Sequence, residues 1–224
     1  MTNDERTHHA IVDRLSADLA PVRPLRSPWL RLAGWHVVAL GTVALAVAVG
    51  LRDDLGAEIA RPRYVIEIAV LLAGAGLAAT LALLAAVPAR IGGRRARQLG
   101  LGLLVLALAA ALLGDPASAT AARGTLWTDL RCVACVGLFG LGPWLALYAA
   151  VVRAAPLDGR TTALCVGAAA FLVGAAAVRI ACPFDQASHL VVWHGMSVAL
   201  WTVGSTALAA PRLGRWLAPP TARA

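Results

Sequence analysis

The sequence predicts an all-α, polytopic membrane protein: a bundle of six transmembrane helices with a short amphipathic helix on a cytoplasmic N-terminal tail. Three observations carry that expectation. The 224 residues are 59% hydrophobic and 14% charged, whereas soluble domains are roughly half apolar and about a quarter charged. Apolar runs of spanning length recur along the chain, a span needing about 20 residues at about 1.5 Å rise each. Between those runs the arginines collect on alternate sides.

The spans are expected at 30–51, 64–87, 98–114, 133–152, 161–181 and 189–209, the third being the shortest. No soluble domain is left between them. The organisation is therefore a tail (1–28), a six-helix transmembrane domain (29–217) and a short C-terminal tail (218–224). Residues 1–28 are polar and have no apolar core of the kind a cleavable leader needs. All 20 basic residues are arginine. The net charge of +8 does not point to nucleic acid, because the arginines sit between apolar segments and not along one face. Arg90, Arg94, Arg95 and Arg97 fall on the same side as the arginines of both tails, and that side carries most of the total. Positive loops face the cytoplasm, so both termini are expected inside a bacterial inner membrane. The connection between spans five and six then faces out.

In the tail, Ile11, Val12, Leu15 and Leu19 recur at helical spacing, with Asp13, Arg14 and Asp18 on other faces. This is the pattern of one amphipathic helix. Pro21 ends it, and Pro24 and Pro28 keep the link to span one extended. A lone helix this short is marginal in water and needs a surface. Its two aspartates and lack of a basic face favour a protein groove over the membrane.

The chemistry concentrates in the stretch from Cys182 to His194, which holds a thiol, Asp185, His189 and His194. Arg179, one turn earlier, is placed to favour the Cys182 thiolate. Cys132 and Cys135 are three apart at the outer start of span four and share a helix face. Cys132 lies at the interface and is the better functional candidate, while Cys165 reads as packing. Imidazole, thiolate and carboxylate together suit zinc, copper or nickel. No bound cofactor is certain, and a transition-metal ion is expected as a signal if it binds at all. His189 and His194 are five apart and, on a regular α-helix, not on one face. That disfavours a local site, whereas a site shared with Cys132 and Cys182 stays open. Glu67 and Arg179 are costly in lipid and stand near the same outer end, where a pair between them is one option and a contact of Glu67 with His194 another. No phosphate loop, Ser-His-Asp set or zinc-protease helix is present.

The tail Asp18-Leu19-Ala20-Pro21-Val22-Arg23-Pro24-Leu25, the six spans, Cys132 and the string Cys182-Pro183-x-Asp185-x-x-x-His189-x-x-x-Trp193-His194 together resemble the NrsF family, negative regulators of SigF. The likeness runs from about residue 11 to residue 217. It implies a bacterial inner-membrane anti-sigma factor that holds an extracytoplasmic-function sigma factor inactive. Oxidative or heavy-metal stress would release it, with Cys132 and Cys182 as sensing thiols. Asp185, His189, His194 and Arg179 would support the thiols or hold a metal. Ile11, Leu15, Asp18, Leu19, Pro21 and Val22 would bind the partner. The alternative is a membrane thiol oxidoreductase passing electrons from periplasmic thiols to quinone. That chemistry uses two outward cysteine pairs, and only Cys132, Cys135 and Cys182 face that side. A transporter ranks third, because the spans carry few midplane polar groups and no visible inverted repeat.

Overall fold

The computed structural model describes residues 3–17, 24–86, 102, 125–154, 156 and 158–214. Every element within them is helical. Helix α1 spans Asn3–Ala17 and α2 spans Pro28–Val49. A short α3, Leu55–Ile59, leads into α4, Pro62–Ala85. Then come α5, Leu126–Val152, and α6, Gly159–Ala181. The last run opens with the single turn α7, Ala187–His189, passes through a π-helical segment, Leu190–Gly195, and continues as α8, Met196–Gly214.

Among the described residues four helices, α2, α4, α5 and α6, are long and apolar enough to cross a membrane. They coincide with the first, second, fourth and fifth expected spans. The third, 98–114, lies outside the described residues. The sixth, 189–209, falls on the π segment and α8.

Local sequence sets the helix starts. Ser27 accepts from the Leu30 amide at 3.3 Å and Pro28 occupies the first turn of α2, where a missing N–H costs nothing. Thr125 caps α5 through the Thr128 amide at 3.4 Å, and Asp158 caps α6 through the Thr161 amide at 3.0 Å. Each satisfies a donor that the helix itself cannot. The Thr125 cap starts α5 seven residues before the apolar run that announced it, so Asp129 and Arg131 are helical.

Helix α6 is the central element. It packs against α2, α4, α5 and α8, and 83% of its apolar window is buried, against 22% for α2. Its run of alanine and glycine makes that possible, since small side chains let helix backbones approach closely. At Gly174 a Cβ would collide with the Val136 carbonyl oxygen of α5. At Gly137 a Cβ would lie 2.5 Å from the Trp201 indole. That indole donates from Nε1 to the Val133 carbonyl at 2.9 Å. These contacts fix α5 against α6 and α8 within about one turn of Cys132.

In α1, Ile11 and Val12 are 50% and 59% exposed. Its described part runs from Asn3 to Ala17, and the expected stop at Pro21 lies outside the described residues. The Leu15 side chain and residues Asp18, Leu19, Pro21 and Val22 lie outside the described residues.

Candidate functional site

Two polar clusters sit side by side where α6 ends and the last helical run begins. The first is built on arginine. Arg52, between α2 and α3, and Arg179, in the last turn of α6, are both nearly fully buried. Asp185 lies between them. Its Oδ1 accepts from Arg52 at 2.9 Å and from Arg179 at 2.6 Å, and its Oδ2 accepts from Arg52 at 2.7 Å. Arg179 also donates from Nε to Glu67 at 3.0 Å, the pair the sequence suggests. Its guanidinium lies 4.7 Å from the Tyr64 ring centre, and the Tyr64 hydroxyl donates to the Arg179 carbonyl at 3.2 Å. Burial pushes the Asp185 carboxyl up, but the bonds from Arg52 and Arg179 outweigh it and hold it below the usual carboxylate range. The carboxylate is thus engaged by guanidinium groups, and Arg179 reaches Glu67 and Asp185 where the sequence had it supporting Cys182. Arg52 ties the Cys182–Gln186 loop to the end of α2 through Asp185. Its amide also donates to the Ile180 carbonyl at 3.3 Å.

The second cluster is built on sulfur and imidazole. Cys132 lies in the second turn of α5, and Cys182 caps the C-terminus of α6. Their Sγ atoms are 4.0 Å apart. His189 Nε2 is 3.5 Å from Cys182 Sγ and 3.7 Å from Cys132 Sγ. One ligating atom from each of Cys132, Cys182, His189 and His194 falls within 4.8 Å of all the others. Cys182, His189 and His194 are buried and Cys132 is half-buried. Cys182 sits below its ordinary thiol pKa: contact with Cys132 favours its thiolate most, His189 and His194 add to that, and burial opposes. Cys135 lies outside the group, and Cys165 is wholly buried in the core of α6.

His189 and His194 do not sit on a regular α-helix. Residues five apart on an α-helix, at about 100° each, point about 140° apart. Here Leu190–Gly195 is π-helical, with hydrogen bonds spanning five residues. The wider turn brings the two imidazoles to 5.4 Å between ring centres, edge to face. Such π segments are rare and concentrate at functional sites.

Asp129, in the first turn of α5, escaped the sequence reading. Its Oδ1 lies 3.0 Å from His189 Nδ1, off the line of an ideal hydrogen bond, and has no other partner. The available signal was its spacing: Asp129 stands three residues before Cys132, on the same helix face. Among the described residues, a cavity of about 470 Å³ between α2, α5 and α6 reaches both thiols, with Ala46, Gly50, Cys132, Cys182 and Phe184 in its walls.

Fold and site together define a helical protein with helices long and apolar enough to cross a membrane and a thiol and imidazole cluster at one end of its bundle. A family model described as NrsF, negative regulator of sigma F, matches residues 15–216. The chain belongs to that family. No curated protein and no solved structure shows a significant match to it.

Proposed function

We propose that this negative regulator of sigma F is a six-span anti-sigma factor of the bacterial inner membrane with both termini in the cytoplasm. Its tail, from Ile11 through Leu15, Asp18, Leu19, Pro21 and Val22, holds an extracytoplasmic-function sigma factor. Oxidative or heavy-metal stress acts at Cys132 and Cys182 on the periplasmic side and releases it. The observation that carries this reading is the family match over residues 15–216 together with two thiols 4.0 Å apart. A disulfide requires the sulfurs to close to about 2.05 Å. Closure transfers two electrons to an oxidant of the peroxide class and releases two protons, and it pulls α5 toward the end of α6. The 50% exposure of Ile11 supports the binding half, because an apolar stripe left in water is what a partner's groove covers.

Pull-down with an extracytoplasmic-function sigma factor from the same genome tests both halves. Leu15→Asp with Leu19→Asp is expected to abolish capture, and unchanged capture removes the tail from the mechanism. Cys132→Ser and Cys182→Ser are each expected to retain the sigma factor under peroxide or cadmium stress. Normal release in both variants removes the thiols.

A further inference from the structure

We infer that Cys132, Cys182, His189 and His194 form a tetrahedral centre for one divalent ion of the zinc class, with Asp129 as the outer carboxylate behind His189. The inference rests on the thiol-site reading above for where the sulfurs act. It goes beyond that reading in naming both imidazoles as ligands and the ion's class.

Geometry is the first support. An ion about 2.3 Å from each sulfur and about 2.0–2.1 Å from each nitrogen sets tetrahedral edges of about 3.8 Å between sulfurs and about 3.6 Å between sulfur and nitrogen. The observed separations are 4.0 Å between the sulfurs, and 3.5 and 3.7 Å from His189 Nε2 to each. The ligands come from three separate elements, α5, the end of α6 and the last helical run. The π segment supplies the one local distortion needed to bring in His194.

Unspent hydrogen-bonding capacity is the second. His194 Nε2 is buried without a hydrogen-bond partner, and a buried polar atom left unpaired costs about 1–3 kcal/mol. Asp129 Oδ1, similarly short of partners, approaches His189 Nδ1 at 3.0 Å. A carboxylate there keeps the proton on Nδ1 and leaves the Nε2 lone pair facing the sulfurs, as behind metal-bound imidazoles generally.

Charge is the third. Two thiolates in a dry site are expensive unless neutralised. When two thiols bind a divalent cation, two protons leave and the four-ligand centre is neutral. Two sulfurs with two imidazoles select zinc and its softer congener cadmium over magnesium or calcium, which take oxygen. The neighbouring acidic group of Asp54, Glu58 and Asp185 is a useful contrast. Arg52 already lies among those three carboxylates, so no cation is needed there.

The test uses full-length protein purified in detergent under reducing conditions, stripped with chelator and titrated with Co²⁺. One equivalent is expected to give the visible bands of four-coordinate cobalt and a thiolate charge-transfer band, both removed by equimolar Zn²⁺. Cys132→Ser, Cys182→Ser, His189→Gln and His194→Gln should each lose the signal or change its coordination. Cys135→Ser, Cys165→Ser and Asp185→Asn should keep it. Asp129→Asn should weaken zinc affinity about 10- to 100-fold. Circular dichroism and gel filtration confirm that each variant folds. Where a cysteine variant fails that check, whichever of His189→Gln and His194→Gln folds carries the decision. No cobalt uptake by folded, reduced protein overturns the inference, as does an unchanged spectrum in both histidine variants. Sigma-factor release is scored separately. Absent cobalt uptake with normal stress release overturns the metal centre alone, whereas cobalt uptake with release indifferent to Cys132 and Cys182 supports the centre and overturns the sensing role.

Discussion

Cys182 and Asp185 are three residues apart, yet they belong to clusters of opposite character. Around Asp185 charge meets opposite charge: both oxygens accept from guanidinium groups, and the arginines reach onward to Glu67 and Asp54, with Arg179 Nη1 left without a partner. Around Cys182 there is no such pairing of opposite charges. Two sulfurs and two imidazoles converge, and His194 Nε2 has no partner. Buried polar groups in folded proteins are nearly all paired, so an unpaired one calls for an explanation. The difference assigns roles. The arginine cluster is framework, holding the loop at the end of α6 in register with α2 and α4. The thiol cluster is the part to which the proposals above assign a reagent or an ion.

That division predicts its largest effect where the framework is broken. Arg179→Met leaves Glu67 buried and uncompensated, and removing one partner of a buried pair typically costs about 3–5 kcal/mol. The double variant Arg179→Met with Glu67→Met leaves no stranded charge and should recover most of that loss. Denaturant or thermal unfolding of the purified protein in detergent, followed by circular dichroism, checks both. Equal losses in the single and double variants would mean that the pair is not coupled as its 3.0 Å separation implies.

A smaller effect sharpens the comparison. Asp185→Asn keeps the side chain's shape, but its one oxygen accepts from the arginines only as a neutral group and its NH2 cannot accept from Arg52 at all. Hydrogen bonds to charged groups are each worth about 1.5–3 kcal/mol, and since the amide retains part of this, a net loss of about 1–3 kcal/mol is expected by the same unfolding measurement. The rate at which Cys132 and Cys182 react with a maleimide should rise, because the loop bearing Cys182 loses its anchor to Arg52 and Arg179. An unchanged rate would separate the two clusters functionally as well as chemically.

How far these clusters were legible in the sequence follows from the range of the signals. Apolar runs are local and long, so α2, α4 and α6 begin and end within about two residues of the segments that announced them. Helix α5 starts earlier because hydropathy places Asp129 and Arg131 in a loop, whereas the Thr125 cap makes them the first turn of a helix. The same error hid Asp129. The Glu67–Arg179 pair was legible because two opposite charges at one depth of a bilayer have few other partners. The meeting of Cys132 with Cys182 depends on how α5 packs against α6, at Gly174 and Val136, and no local pattern encodes it. His189 and His194 were read with α-helical geometry, which the π segment does not obey.

The smallest expected effect is on the pH profile, and its sign follows from Asp185. Bonds from Arg52 and Arg179 depress its folded-state pKa below the unfolded value of about 3.9. A carboxylate of this kind adds stability above its unfolded pKa and loses it as pH falls through the folded one. Stability against denaturant should therefore be level from neutral pH down to about 4 and decline below that as Asp185 takes up a proton and releases the arginines. In Asp185→Asn the acid-side decline should be shallower while the plateau lies lower. A decline of the same steepness in both proteins would assign the acid sensitivity to another carboxylate and loosen the claim that Asp185 is the joint between the two arginines.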